Sequence, residues 1–77
     1  VKWGRSSAGP TLVDSKLQKR LAALNTPVVR DWADFYLNTC GKMLLEYGRN
    51  GIEESLIEAE AAAESLLAAV RELKRRA

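Results

Sequence analysis

The sequence contains no histidine and a single cysteine, and nowhere does it hold an apolar run of membrane-spanning length. Each absence removes a class of function. Without histidine the usual general base is missing, and a zinc site would need one thiolate plus carboxylates, a poor donor set for that metal. A lone Cys40 cannot form an intrachain disulfide and fits a reducing compartment. A cytoplasmic location, or a place in a phage particle assembled inside a cell, is therefore expected. No window of about 18 apolar residues offers a bilayer span. Lys2 and Arg5 are followed by no apolar segment, so the start does not read as a secretory signal. The glycine-bearing stretch Gly48 to Gly51 follows no strand pattern and precedes no Lys-Ser or Lys-Thr, so it is not a phosphate loop. These absences predict a protein that is not an enzyme, with no cofactor, metal or small-molecule substrate and no membrane span.

What is present is a short chain with patterned charge. Its 77 residues make one domain, which buries only about 60–65% of the surface exposed on unfolding. Folds this small lean on disulfides, a metal or oligomerisation. With the first two set aside, self-association or very close helix packing remains. The net charge is only +2, but residues 1–30 carry six basic side chains and one acid, 52–69 carry five glutamates and no base, and 70–77 carry four bases and one acid. The richness in Ala, Arg and Leu suits a high-GC bacterium or its phage.

Residues 1–10 read as a flexible basic tail, since Gly4, Ser6, Ser7, Gly9 and Pro10 break every periodicity and Trp3 is its one anchor. The helical domain spans 11–77. A first helix is predicted over about 12–24, with Thr11 as N-cap and Asp14 completing a capping box. Its narrow stripe of Val13, Leu17, Leu21 and Leu24 suits a single neighbour, and Lys16, Gln18, Lys19 and Arg20 fill the rest. Thr26 and Pro27 read as the N-cap and first residue of a second helix over 27–47. The apolar arc of that helix takes in Val28, Val29, Trp32, Phe35, Tyr36, Cys40, Met43, Leu44 and Tyr47, about half its circumference. It is therefore placed centrally, against more than one neighbour, with Asp31, Asp34, Asn38 and Lys42 toward solvent. Gly41 is expected at a close helix approach or a kink.

Gly48 reads as the left-handed cap of the second helix. Asn50 and Glu53 read as a capping box opening a third helix over 52–76. So short a turn forces the two long helices antiparallel. The turn, Tyr47-Gly48-Arg49-Asn50-Gly51, lacks the tryptophan of the small secreted hairpin proteins with Trp-x-Gly turns, and no membership of that family follows. In the third helix Ile52, Leu56, Ala59, Ala63, Leu66, Val70 and Leu73 recur by fours and threes, a heptad seam that Leu67 widens. The glutamates are placed on the solvent face opposite that seam. Arg71, Lys74, Arg75 and Arg76 complement the helix dipole at the end.

The predicted fold class is all-α: three helices, a short first helix plus a long antiparallel helical hairpin, completing a helical bundle by self-association. A helix of about 25 residues is roughly 37 Å long, more than the ~30 Å diameter of a compact chain of this length. The short first helix cannot cover the whole groove of such a hairpin, and large exposed apolar patches mark interfaces. The expected function is a non-enzymatic protein–protein interaction or assembly module, homo-oligomeric or bound to partner helices, serving as a small bacterial or phage structural or adaptor protein. Trp32, Tyr36, Met43, Leu56, Leu66 and Val70 are its expected core and interface residues, and Cys40 an expected core residue. The alternative is a small nucleic-acid-binding or transcription-associated regulator that contacts phosphates through Lys2, Arg5, Lys16, Lys19 and Arg20. Against it, a recognition helix starting at Val28 would offer Val29, Asp31 and Asp34 to a groove, which are apolar or acidic. The basic first helix is also expected to favour the acidic half of a neighbouring helix; exposed pairs there contribute only ~0–1 kcal/mol each and would select orientation.

Overall fold

A computed structural model describes residues 16–77. The expected tail with Lys2, Trp3 and Arg5, the Thr11–Asp14 cap and Val13 lie outside the described residues. Among the described residues every regular element is a helix: α1 (residues 16–22), α2 (Thr26–Asn50) and α3 (Glu53–Arg76). α2 and α3 pack extensively as an antiparallel hairpin, and α1 lies against its open end through Leu17, Leu21 and Leu24.

The helix boundaries follow from where backbone groups find partners. α2 starts after Asn25, whose extended backbone leaves its carbonyl to accept from Val28 N and Val29 N at 3.0 Å each. No side chain caps this end, so the expected cap at Thr26 is not formed. The Thr26 hydroxyl is engaged elsewhere: it accepts from Arg76 at 2.9 Å. At its other end α2 runs on through Gly48 to Asn50, and the left-handed position falls on Gly51 at φ 66°. Gly51 N–H closes the helix on the Tyr47 carbonyl at 2.8 Å. Continuing past Gly48 adds helical hydrogen bonds and allows a Glu46–Arg49 contact at 3.7 Å, and a single glycine is enough to reverse the chain.

The expected Asn50–Glu53 box is likewise replaced. Asn50 Oδ1 accepts from Ile52 N–H at 2.8 Å, a turn made by a side chain on the backbone two residues ahead. Ile52, extended, is the residue at the N-cap of α3.

The inner edge of α2 carries Val29, Ala33, Tyr36, Cys40, Met43 and Tyr47, spaced by fours and threes. Facing it, α3 presents Ser55, Ala59, Ala62, Leu66, Ala69 and Leu73, with the same spacing. This corrects the expected seam. Ala59, Leu66 and Leu73 belong to both sets, but Ile52, Leu56, Ala63 and Val70 are exposed and lie outside the packed edge. Backbone proximity decides the rotation. Alanine and serine let the helix axes approach toward the 8 Å end of the usual range, and Tyr36 and Met43 then fill the space from the other side. The deepest packing joins Leu21, Val29, Ala68 and Ala69 at the open end of the hairpin.

Candidate functional site

The most ordered polar feature closes α1 onto α3. Glu72 is 1% exposed. Its carboxylate accepts from Arg75 at 2.6 and 3.2 Å and from Arg76 at 2.6 Å. Held in this way, the Arg76 guanidinium donates to the carbonyls of Leu21 (3.0 Å), Ala22 (3.3 Å) and Leu24 (2.7 Å) as well as to Thr26 Oγ1. These acceptors gather at the C-terminal end of α1, where a cation is favoured, and the Leu21 carbonyl also accepts from Leu24 N–H at 3.0 Å. Hydrogen bonds from Arg75, then from Arg76, bring the Glu72 carboxyl down from 4.5 to about 2. The same contact raises Arg75. Two expectations are corrected here. Glu72 is not on a solvent face, and Arg76 serves the dipole of α1, not only that of its own helix.

α1 is fixed to α3 at a second point, where Gln18 Nε2 donates to the Ala68 carbonyl at 2.9 Å. Gln18 therefore does not belong with the solvent-facing residues of α1. The basic helix rests on the basic end of α3, not on its acidic half. Chain connection outweighs charge in this choice: residues 23–25 are all that join α1 to α2, and the start of α2 lies beside the end of α3. Among the described residues none of Glu53, Glu54, Glu58, Glu60 and Glu64 is in an ion pair.

The hairpin has two broad faces, of which α1 occupies one. That front face also carries Trp32, Phe35 and Tyr36, a contiguous aromatic set in which Trp32 stacks on Tyr36 (5.6 Å, 26°) and meets Phe35 edge-on (5.6 Å, 90°). Beyond α1, a shallow groove runs between Phe35, Tyr36 and Thr39 of α2 and Glu58, Ala61 and Ser65 of α3. On the back face, Ile52, Leu56, Ala63, Leu67 and Val70 fall within about 60° of arc on α3, roughly 80° round from its packed edge. The offset is in the sense opposite to Ala68 and Glu72, which meet α1. Leu37 and Leu44 are displaced from the inner edge of α2 toward the same back face, by about 60–80°. All of these back-face side chains are exposed, Leu37 at 56% and Leu67 at 46%.

The expected core and interface residues divide accordingly. Tyr36, Met43 and Leu66 are half-buried along the hairpin, and Cys40 lies half-buried on the same edge of α2. Trp32 (42%), Leu56 (37%) and Val70 (46%) are exposed, so none of them is core within the chain. Val28, Phe35, Leu44 and Tyr47 of the expected α2 arc are exposed as well. Gly41 makes no close helix approach, because a Cβ added there meets nothing within 4 Å.

Of the expected phosphate contacts, Lys16, Lys19 and Arg20 are exposed on α1. The fold adds what the sequence alone did not suggest: Lys19 lines one shallow depression together with Arg71 and Arg75 from the end of α3. Among the described residues no cluster of side chains suits a metal ion, and no helix is long and apolar enough to cross a membrane. Compared with known proteins, the chain matches no family model, no curated protein and no solved structure. What its architecture defines is a helical hairpin with α1 locked onto its open end.

Proposed function

We propose that this chain is a non-enzymatic helical assembly module that associates with copies of itself. The observation that carries the reading is the exposed apolar back of the hairpin, where Leu37, Leu44, Ile52, Leu56, Leu67 and Val70 all face solvent. Contiguous apolar patches of this kind mark interaction surfaces, and each large side chain covered by a partner contributes roughly 1.5–3 kcal/mol. Two hairpins pressed together would form a four-helix core of a kind common in symmetric dimers. The lone Cys40 thiol and the composition favour a role inside a bacterial cell or in a phage assembled there, as a structural or adaptor component. Gel filtration with light scattering tests the reading. A dimer or larger species is expected at tens of micromolar, and a clean monomer at that concentration overturns it.

A second reading has one observation in its favour. Lys19, Arg71 and Arg75 line one depression beside α1, in which Arg75 is held by Glu72, with Lys16 and Arg20 elsewhere on the same helix. Phosphates of a nucleic acid suit such a basic surface. Salt-dependent binding of DNA or RNA that falls when Lys16, Lys19 and Arg20 are neutralised supports this reading, and absence of binding at low salt removes it.

A further inference from the structure

We infer that the occupant of the back face is a second copy of this chain, related by a two-fold axis beside Ala63, with the two α3 helices running antiparallel. The inference rests on the self-association proposed above and says which face associates and in which direction. Three observations lead to it.

The first is charge. Along α3, Glu53, Glu54, Glu58, Glu60 and Glu64 come before the midpoint, and Arg71, Lys74, Arg75 and Arg76 come near the end. None of these five glutamates is paired within the described chain, because α1 sits at the basic end. Two α3 helices packed parallel would set acid against acid along half their length. Packed antiparallel, Glu53 on the rim of the back face comes beside the other copy's Lys74, and complementary potentials of this kind fix register and exclude wrong pairings, whereas Glu58 lines the front groove and Arg75 and Arg76 are turned to Glu72.

The second is shape. With Ala63 on the axis, residues pair at equal distances either side of it. Leu56 then meets the partner's Val70, and Ile52 comes level with the partner's Lys74, which brings Glu53 next to that lysine. Apolar residues meet apolar residues along the centre of the contact, with an opposite-charge pair toward its end. The small residue at the axis lets the helices cross closely. On α2, Leu37 stands nearly level with Ala63 in the hairpin register, so it flanks the same axis.

The third is area. The face is about 36 Å long and two helices, about 20 Å, wide. That is near 700 Å² per copy and about 1,400 Å² for the pair, within the roughly 1,200–2,000 Å² of stable specific interfaces.

Cysteine cross-linking decides the geometry. In a Cys40→Ala background, Ala63→Cys places two thiols across a close helix crossing, within the Cβ separation a disulfide needs. Ala61→Cys places a thiol at another exposed position, on the front groove instead. Under mild oxidation the first variant is expected to form a covalent dimer at least tenfold faster than the second. A charge exchange adds a reading independent of thiols. Glu53→Lys alone should weaken the dimer several-fold, and combining it with Lys74→Glu should restore it. Equal cross-linking rates, or faster cross-linking at position 61, in a protein that light scattering shows to be dimeric would overturn this face while leaving self-association standing. A monomer by light scattering would overturn both.

Discussion

Arg76 donates to the Leu24 carbonyl at 2.7 Å across 52 positions of sequence, and this contact ties the last turn of α3 to the end of α1. The same guanidinium serves Leu21 and Ala22 and is oriented by Glu72 behind it. One side chain thus holds most of the polar attachment of α1 to the hairpin.

Arg76→Ala removes these bonds and leaves the α1 carbonyls to water. A loss of about 2 kcal/mol is expected, in the range for hydrogen bonds with a charged donor. Arg76→Lys should recover only part of it, because an ammonium cannot reproduce the planar fork. Urea denaturation monitored by circular dichroism measures both, and an unchanged midpoint for the alanine variant would refute the role.

The Glu72 carboxyl is lowered in the folded chain from 4.5 to about 2 by its bonds from Arg75 and Arg76. A lowered carboxyl binds its proton more readily when the chain is unfolded, so its stabilising contribution is complete above about pH 4.5 and is lost as the pH falls from there through about 2. Glu72→Gln should flatten the stability profile in that window. A slope equal to that of the parent chain would contradict the assignment.

Ala69 is fully buried at the hairpin edge, where small residues set the spacing of α2 and α3. Ala69→Leu is expected to lower stability by about 1–3 kcal/mol through overpacking. The glycines of α2 give the opposite sign. Gly41 and Gly48 are helical, with nothing within 4 Å of an added Cβ, so alanine at either should raise monomer stability by about 1 kcal/mol. Gly51→Ala should lower it by about 1 kcal/mol, since its φ of 66° strains any L side chain. Thermal melts of the set check all four signs.

Neighbouring leucines on α3 separate folding from assembly. Leu66 is half-buried in the hairpin and Leu67 is exposed on its back. Leu66→Asp should unfold the chain, whereas Leu67→Glu should keep the helical spectrum and lower the apparent mass in solution. If the Leu67 variant stays associated to the same extent, the back face is not the contact.

Much of the fold is written in local pattern. The stripe of Leu17, Leu21 and Leu24, the proline at the start of α2 and the long amphipathic run of α3 are each readable from neighbours within a few residues, and they place three helices and a hairpin. The packed edge of α3 is harder to read, because hydropathy ranks Ile52, Leu56 and Val70 above Ser55, Ala62 and Ala69. Close contact between helices instead selects for small volume, and so the two stripes exchange roles. The Arg76–Glu72 closure carries no periodic signature, since its acceptors lie some fifty residues away. The available clue was positional: Glu72 is the one acid in an otherwise basic end segment, three and four residues before two arginines. Phase with Ala68 and Ala69 would have turned it inward.

The long reach of that closure also sets an order of events during synthesis. A nascent chain can zip its hairpin as α3 emerges, and the leading helix then gains its anchors in turn: Leu21 against Val29, Ala68 and Ala69, with Gln18 on the Ala68 carbonyl, come before the Arg76 closure. Leu17, Leu21 and Leu24 stay uncovered until Ala68 and Ala69 of α3 are in place. The interval before α3 docks is the stage at which the chain is most open to chaperone capture or degradation.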